Sequence, residues 1–141
     1  MTQFHFFHPI EVRYGDLDPQ GHLNNAKFLT YMEQARVNFV RHLGLWNGSS
    51  FFDFGFILAE VKVTFLSPIH FGHQVQVGVR VTRFGKKSLD MEYQIIEGQT
   101  GELFATGESV LVAYDYHLGK TILIPADWRQ AMQEFDSLPG E

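Results

Sequence analysis

Residues 24–44 read NNAKFLTYMEQARVNFVRHLG. Within them Phe28, Met32, Ala35, Phe39 and Leu43 recur at intervals of four, three, four and four, along one stripe of an α-helix. Asn24 or Asn25 supplies the N-cap, since its side-chain carbonyl can accept from a free N–H of the first turn. Arg41 and His42 fall in the last turn, beside the negative end of the helix dipole, and Gly44 just beyond suits a left-handed stop. The stretch predicts one long helix near the start of the chain.

On both sides of that helix the residues are those of strands. Phe4 to Tyr14 is rich in aromatic and β-branched residues, and Pro9 within it suits an edge position or a bend. Downstream of a Phe/Gly-rich loop, Phe51 to Phe56, the period is two. Val61, Val63 and Phe65 share a face of a strand that ends near Pro68. Val75, Val77, Val79 and Val81 share a face of the next, with Gln74, Gln76, Arg80 and Thr82 opposite. Gly85-Lys86-Lys87 turns the chain into Leu89, Met91, Tyr93 and Ile95, and residues 97–102 turn it again before Leu103 to Tyr116. Val110 to Tyr114 is apolar on both faces, which predicts a central strand, with Gly107 a candidate bulge. Ile122 to Ile124 predicts a short edge strand. Pro125 to Phe135 predicts a closing helix with Trp128, Met132 and Phe135 on one side. The economical way to bury one apolar helix with long antiparallel strands is to curl the sheet around it, an α+β architecture.

The chain has 141 residues, enough for a single domain over 1–141 but not for two independent cores. Its 13 glycines and 5 prolines mark turns without forming a linker; only Gly48-Ser49-Ser50 and the tail from Ser137 are weak spots. There is no cysteine, which removes disulfides, thiolate metal sites and a cysteine nucleophile together. Eleven basic against 16 acidic residues argues against nucleic acid, whose readers carry the opposite sign. The start, Met1-Thr2-Gln3-Phe4-His5, lacks the pattern of a signal peptide, and no apolar run approaches the roughly 20 residues of a membrane span. A cytoplasmic protein is expected. With 45% hydrophobic and 19% charged residues, the chain is apolar enough to cover part of its surface with a partner subunit.

The densest set of functional groups precedes the long helix: Tyr14-Gly15-Asp16-Leu17-Asp18-Pro19-Gln20-Gly21-His22-Leu23-Asn24-Asn25. A helix N-terminus offers unpaired N–H groups and partial positive charge, hence a stabiliser for a developing oxyanion. Asp18, held by Pro19, brings a carboxylate beside those donors, the minimum equipment for acyl transfer to water. The same run is also an ordinary turn with Asx hydrogen bonds. As a calcium loop it lacks the acid at position twelve, where Lys27 stands.

Residues Arg13 to Phe28, continuing through Tyr31-Met32-Glu33-Gln34-Ala35-Arg36, resemble the signature of hotdog-fold acyl-CoA thioesterases. They are most similar to the 4-hydroxybenzoyl-CoA thioesterase-like branch, and His22-Leu23-Asn24-Asn25 is also similar to plant acyl-carrier-protein thioesterases. The resemblance extends to Ala59-Glu60-Val61-Lys62-Val63, Pro68 and Phe71-Gly72. It implies a central helix wrapped by about five antiparallel strands and hydrolysis of an acyl-CoA thioester, with no cofactor or metal. By that resemblance Asp18 is the catalytic carboxylate, as nucleophile or general base, and the N–H of Asn25 polarises the thioester carbonyl. His22 and Asn24 match positions that orient substrate or water. Gln20 stands where the plant enzymes carry an Asn, and His73 replaces an acid often found after Phe-Gly. The resemblance further implies a homodimer, or a dimer of dimers, with the site at the subunit interface.

Other groups carry two readings each. Arg83-Phe84-Gly85-Lys86-Lys87-Ser88 is either a solvated hairpin turn or a clamp for the phosphates of coenzyme A. Glu60 is either a solvated strand residue or a second site carboxylate, and Phe51 to Phe56 either packs or lines an acyl pocket. Asp16 orders the loop rather than reacting, and Glu33 and Arg36, three apart, pair along the helix. The remaining histidines show no metal spacing. Two further functions stay open: a non-catalytic acyl-CoA-binding or regulatory module on the same fold, and hydrolysis of acyl-carrier-protein thioesters.

Overall fold

In the computed structural model, which describes residues 3–138, the chain forms β1 (Phe7–Glu11), α1 (Asn25–His42), β2 (Phe56–Phe65), β3 (Gln74–Phe84), β4 (Ser88–Glu97), β5 (Leu103–Asp115), β6 (Lys120–Thr121) and α2 (Ala126–Phe135). The strands make one antiparallel sheet in the order β1-β3-β4-β5-β2, with β6 paired to the end of β5. The alternation seen in the sequence is the alternation of the sheet. Val75, Val77, Val79 and Val81 of β3 and Leu89, Met91, Tyr93 and Ile95 of β4 are buried, and so are Ala105, Gly107, Ser109, Leu111 and Ala113 of β5. These residues face α1, whose buried side is Phe28, Tyr31, Met32, Ala35, Arg36, Phe39 and Val40. The buried stripe is thus wider than its apolar periodicity, taking in Tyr31 and Arg36, while Leu43 at the C-cap is only half-buried.

The helix ends as expected. Asn24 Oδ1 accepts from the Ala26 N–H at 2.9 Å, and Gly44 adopts φ +76° past the last turn. Pro9 lies on β1, an edge strand paired only with β3, where a missing N–H costs no ladder bond on the open side. In α2, which starts directly after Pro125, Met132 is fully buried, Trp128 packs on Phe56, and Phe135 packs on Phe39.

Three expectations need correction. Gly107 is not a bulge: it pairs in register with Val63 and Tyr93. Its missing side chain serves the helix instead, since a Cβ there would lie 2.6 Å from Met32 Cε. The irregularities fall at Ala59 on β2, Thr82 on β3 and Phe104 on β5. The short terminal strand is Lys120–Thr121 rather than Ile122 to Ile124, because Ile124 is drawn inward and buried. The first strand is shorter than Phe4 to Tyr14, since Tyr14–Asp16 coils into a 3-10 turn. Met1, Thr2 and Pro139–Glu141, which carried the readings of the two termini, lie outside the described residues.

Candidate active site

Two aspartates in the loop before α1 have different surroundings. Asp16 is 1% exposed. Its Oδ2 accepts from the Tyr31 hydroxyl at 2.8 Å and the Arg13 N–H at 3.2 Å, while its Oδ1 meets Arg13 Nη2 at 3.0 Å and Lys27 Nζ at 3.9 Å. Burial alone pushes its pKa up, but the Arg13 guanidinium and the Tyr31 hydroxyl outweigh it and hold the carboxyl below its ordinary value. Burial, aided by the neighbouring carboxylate, raises the Tyr31 hydroxyl. Asp16 is therefore an anchor that ties the loop to the middle of the helix.

Asp18 is half-buried and faces a surface cleft of about 360 Å³. Its Oδ1 accepts from the backbone N–H groups of Gln20 (2.9 Å) and His22 (3.2 Å), and its own N–H donates to the His22 carbonyl at 2.8 Å. This is the Asx-type turn that the sequence allows. Among the described residues no hydrogen bond reaches Asp18 Oδ2, so one carboxylate oxygen is held and the other is available. The same cleft is lined by Gln20, His22, Asn25, Phe28, Phe65 and Ser67. Asn25 is the first residue of α1, so its N–H has no acceptor within the helix, and none is found among the described residues. A free carboxylate oxygen and an orphan helix-terminal N–H thus open onto one cleft.

The other candidates divide. His22 and Gln20 line the cleft, while Asn24 spends its side chain on the helix cap. Glu60 lies on β2 five residues before Phe65 and alternates onto the sheet face away from the helix, beside Lys62, Asp90, Glu92 and Glu108. The turn holding Arg83, Lys86, Lys87 and Ser88 joins β3 to β4 at the end opposite His73, roughly 30 Å along the strand from the cleft. There Arg83 pairs with Asp90 at 3.0 Å, and the Lys86 and Lys87 carbonyls accept from Ile124 and Ala113. Within one protomer neither Glu60 nor this turn joins Asp18. The aromatic loop is likewise remote: Phe51, Phe54 and Phe56 line a cleft of about 700 Å³ with Trp46 and the α1 residues Arg36 and Val37. On that side Arg36, 6% exposed, meets Glu33 at 3.5 Å. The anchoring role of Tyr31 has no local signal in the sequence, because its partner lies 15 residues away. Among the described residues no group of three or more histidines and carboxylates is arranged to hold a metal ion, and no helix is long and apolar enough to cross a membrane.

One antiparallel sheet wraps the central helix, and a loop carboxylate opens onto the same cleft as the first N–H of that helix. The chain belongs to the Thioesterase-like superfamily, whose profile matches residues 12–132. A thioesterase from Thermus thermophilus, solved with coenzyme A and zinc, is 35% identical, covers 99% of this chain and 100% of its own, and superposes with a TM-score of 0.85. The long-chain acyl-CoA thioesterase FadM of Escherichia coli is 22% identical over 89% of this chain and 95% of its own length. YsmA of Bacillus subtilis, an uncharacterized protein, is 26% identical over 86% of this chain and 80% of its own.

Proposed function

We propose that the protein is a cytoplasmic, homodimeric enzyme that hydrolyses an acyl-CoA thioester to a carboxylic acid and coenzyme A, without metal or other cofactor. The observation that carries this reading is the pairing of Asp18 with the unpartnered N–H of Asn25 across one cleft. The thioester carbonyl oxygen accepts from Asn25 N–H and the helix dipole, which stabilise the oxyanion as it forms. Asp18 Oδ2 either takes a proton from an attacking water or attacks the carbonyl itself. On the water route the tetrahedral intermediate collapses to the acid as the C–S bond breaks, and the departing thiolate takes up the proton held by Asp18. On the second route the same C–S cleavage leaves an Asp18 anhydride, which water then hydrolyses to the acid and the free carboxylate. His22 orients the substrate or water.

The homodimer would complete the site. β2 is an edge strand whose apolar Leu58, Val61 and Phe65 are partly exposed, as is the following Leu66. Antiparallel pairing of two copies of β2 would set Phe65 of one protomer beside Phe56 of the other. The aromatic loop and the basic turn of the partner subunit would then approach the Asp18 cleft, giving an acyl wall and a phosphate clamp in trans, while Glu60 would stay on the outer face of the joined sheet. A dimer of dimers is compatible with this pairing.

Thiol release measured over short, long and aromatic acyl-CoAs and a carrier-protein thioester tests the reading. Release from acyl-CoA supports it, and release from the carrier-protein thioester alone moves the substrate to that class. Tight acyl-CoA binding with no release from any substrate would make the protein a regulatory module and overturn it.

A further inference from the structure

His70 and His73, which the proposed reaction does not use, stand behind the Asp18 loop. The His70 ring lies edge-on to His22, with centroids 4.8 Å apart, and 5.6 Å from His73, which packs on Phe104 at 5.0 Å. The backbones are joined as well. His22 and His70 form an antiparallel bridge, and the Leu23 N–H donates to the carbonyl of fully buried Ile69 at 2.8 Å. The turn that carries His70 is closed twice: the His73 N–H donates to the His70 carbonyl at 3.2 Å, and the His70 N–H donates to His73 Nδ1 at 2.9 Å. The peptide group of His22 in turn holds Asp18 at both ends, through its N–H and its carbonyl.

We infer that His73 is a positioning residue for Asp18, whose unprotonated Nδ1 closes the turn that sets His70 against His22 and, through His22, fixes the carboxylate. The inference rests on the reading of Asp18 as the catalytic carboxylate. Aspartate Oδ1 stands as many bonds from its backbone as histidine Nδ1, so either can accept the same N–H. The difference is that a carboxylate accepts over the whole physiological range, whereas an imidazole accepts at Nδ1 only while that nitrogen carries no proton. A proton on Nδ1 would set two donors against each other. The charged and titratable groups around His73 are His70 on its own turn, Glu97 of β4 and Glu11 of β1. Glu97 is held below its ordinary carboxylate range chiefly by the N–H groups of Gln99 and Gln74.

The test follows the wild type, His73→Asn and His73→Leu from about pH 8 to about pH 5.5, the range in which imidazoles titrate. Two quantities are read: kcat and KM for an acyl-CoA, and the hydrogen-exchange protection factors of the Asp18 and His22 amides. Asparagine supplies a proton-independent acceptor at the Nδ1 position; leucine supplies none. At pH 8, His73→Asn should match the wild type, while His73→Leu should lose kcat by about two- to tenfold, the worth of one hydrogen bond, with KM unchanged. On acidification the wild type should lose kcat and amide protection together, and His73→Asn should keep more of both. The same acid limb and the same protection loss in wild type and His73→Asn would overturn the proposal, as would full kcat in His73→Leu. Should the wild type hydrolyse no acyl-CoA, the catalytic reading fails separately and the protection factors alone decide the role of His73.

Discussion

Two residues apart, Asp16 and Asp18 are the same side chain in opposite surroundings. Asp16 has its oxygens filled by Arg13, Lys27 and Tyr31; Asp18 has one oxygen held by backbone N–H groups and one facing the cleft. The Asx turn at Asp18, an alternative to function in the sequence, is part of the site geometry, since it leaves the second oxygen outward. Asp16→Asn should destabilise the fold by about 1.5–3 kcal/mol at pH 7, the worth of a hydrogen bond to a charged group. Its folded pKa is depressed, so the stabilisation is complete above the unfolded carboxylate value near 4 and is lost as pH falls through the folded value. Urea denaturation of wild type and variant should therefore show a gap at pH 7 that narrows below about pH 4. A gap independent of pH would contradict the anchoring role.

At the scale of elements, what could be read from the sequence followed from periodicity. The helix between Asn24 and Gly44 and the inward valines of β3 were legible because burial repeats with the geometry of the element. Pairings between distant segments were not. Nothing local in Tyr31 announces Asp16, and nothing in His70 or His73 announces His22. Gly107 is instructive: its sequence allows either a bulge or a close approach, and only the position of Met32 decides between them. Gly107→Ala should cost about 1–3 kcal/mol by overpacking β5 against α1, measured by urea denaturation. Shortening the opposing side chain in Gly107→Ala with Met32→Ala should cost less than the sum of the two single changes. Additivity would show that the glycine is not there for Met32.

For the whole molecule, the division of the phenylalanines was not legible in the sequence, because a ring looks the same in a core and in a pocket. Phe28 and Phe39 are core, Phe65 is exposed at the edge of the Asp18 cleft, and Phe51, Phe54 and Phe56 line a separate cleft at the far end of β2. The basic turn belongs to that far end too, so its proposed reach to substrate depends on a second copy. Charge reversal by Lys86→Glu with Lys87→Glu should raise KM for an acyl-CoA several-fold at low salt and leave it unchanged for a short acyl thioester that lacks the nucleotide. Equal effects on both substrates would contradict the clamp. The central claim concerns the carboxylate itself. Measured on Asp18→Asn protein whose thermal unfolding matches the wild type, kcat for acyl-CoA hydrolysis should fall by about 10²–10⁴-fold with KM little changed, whereas hydrolysis at the wild-type rate would contradict the account.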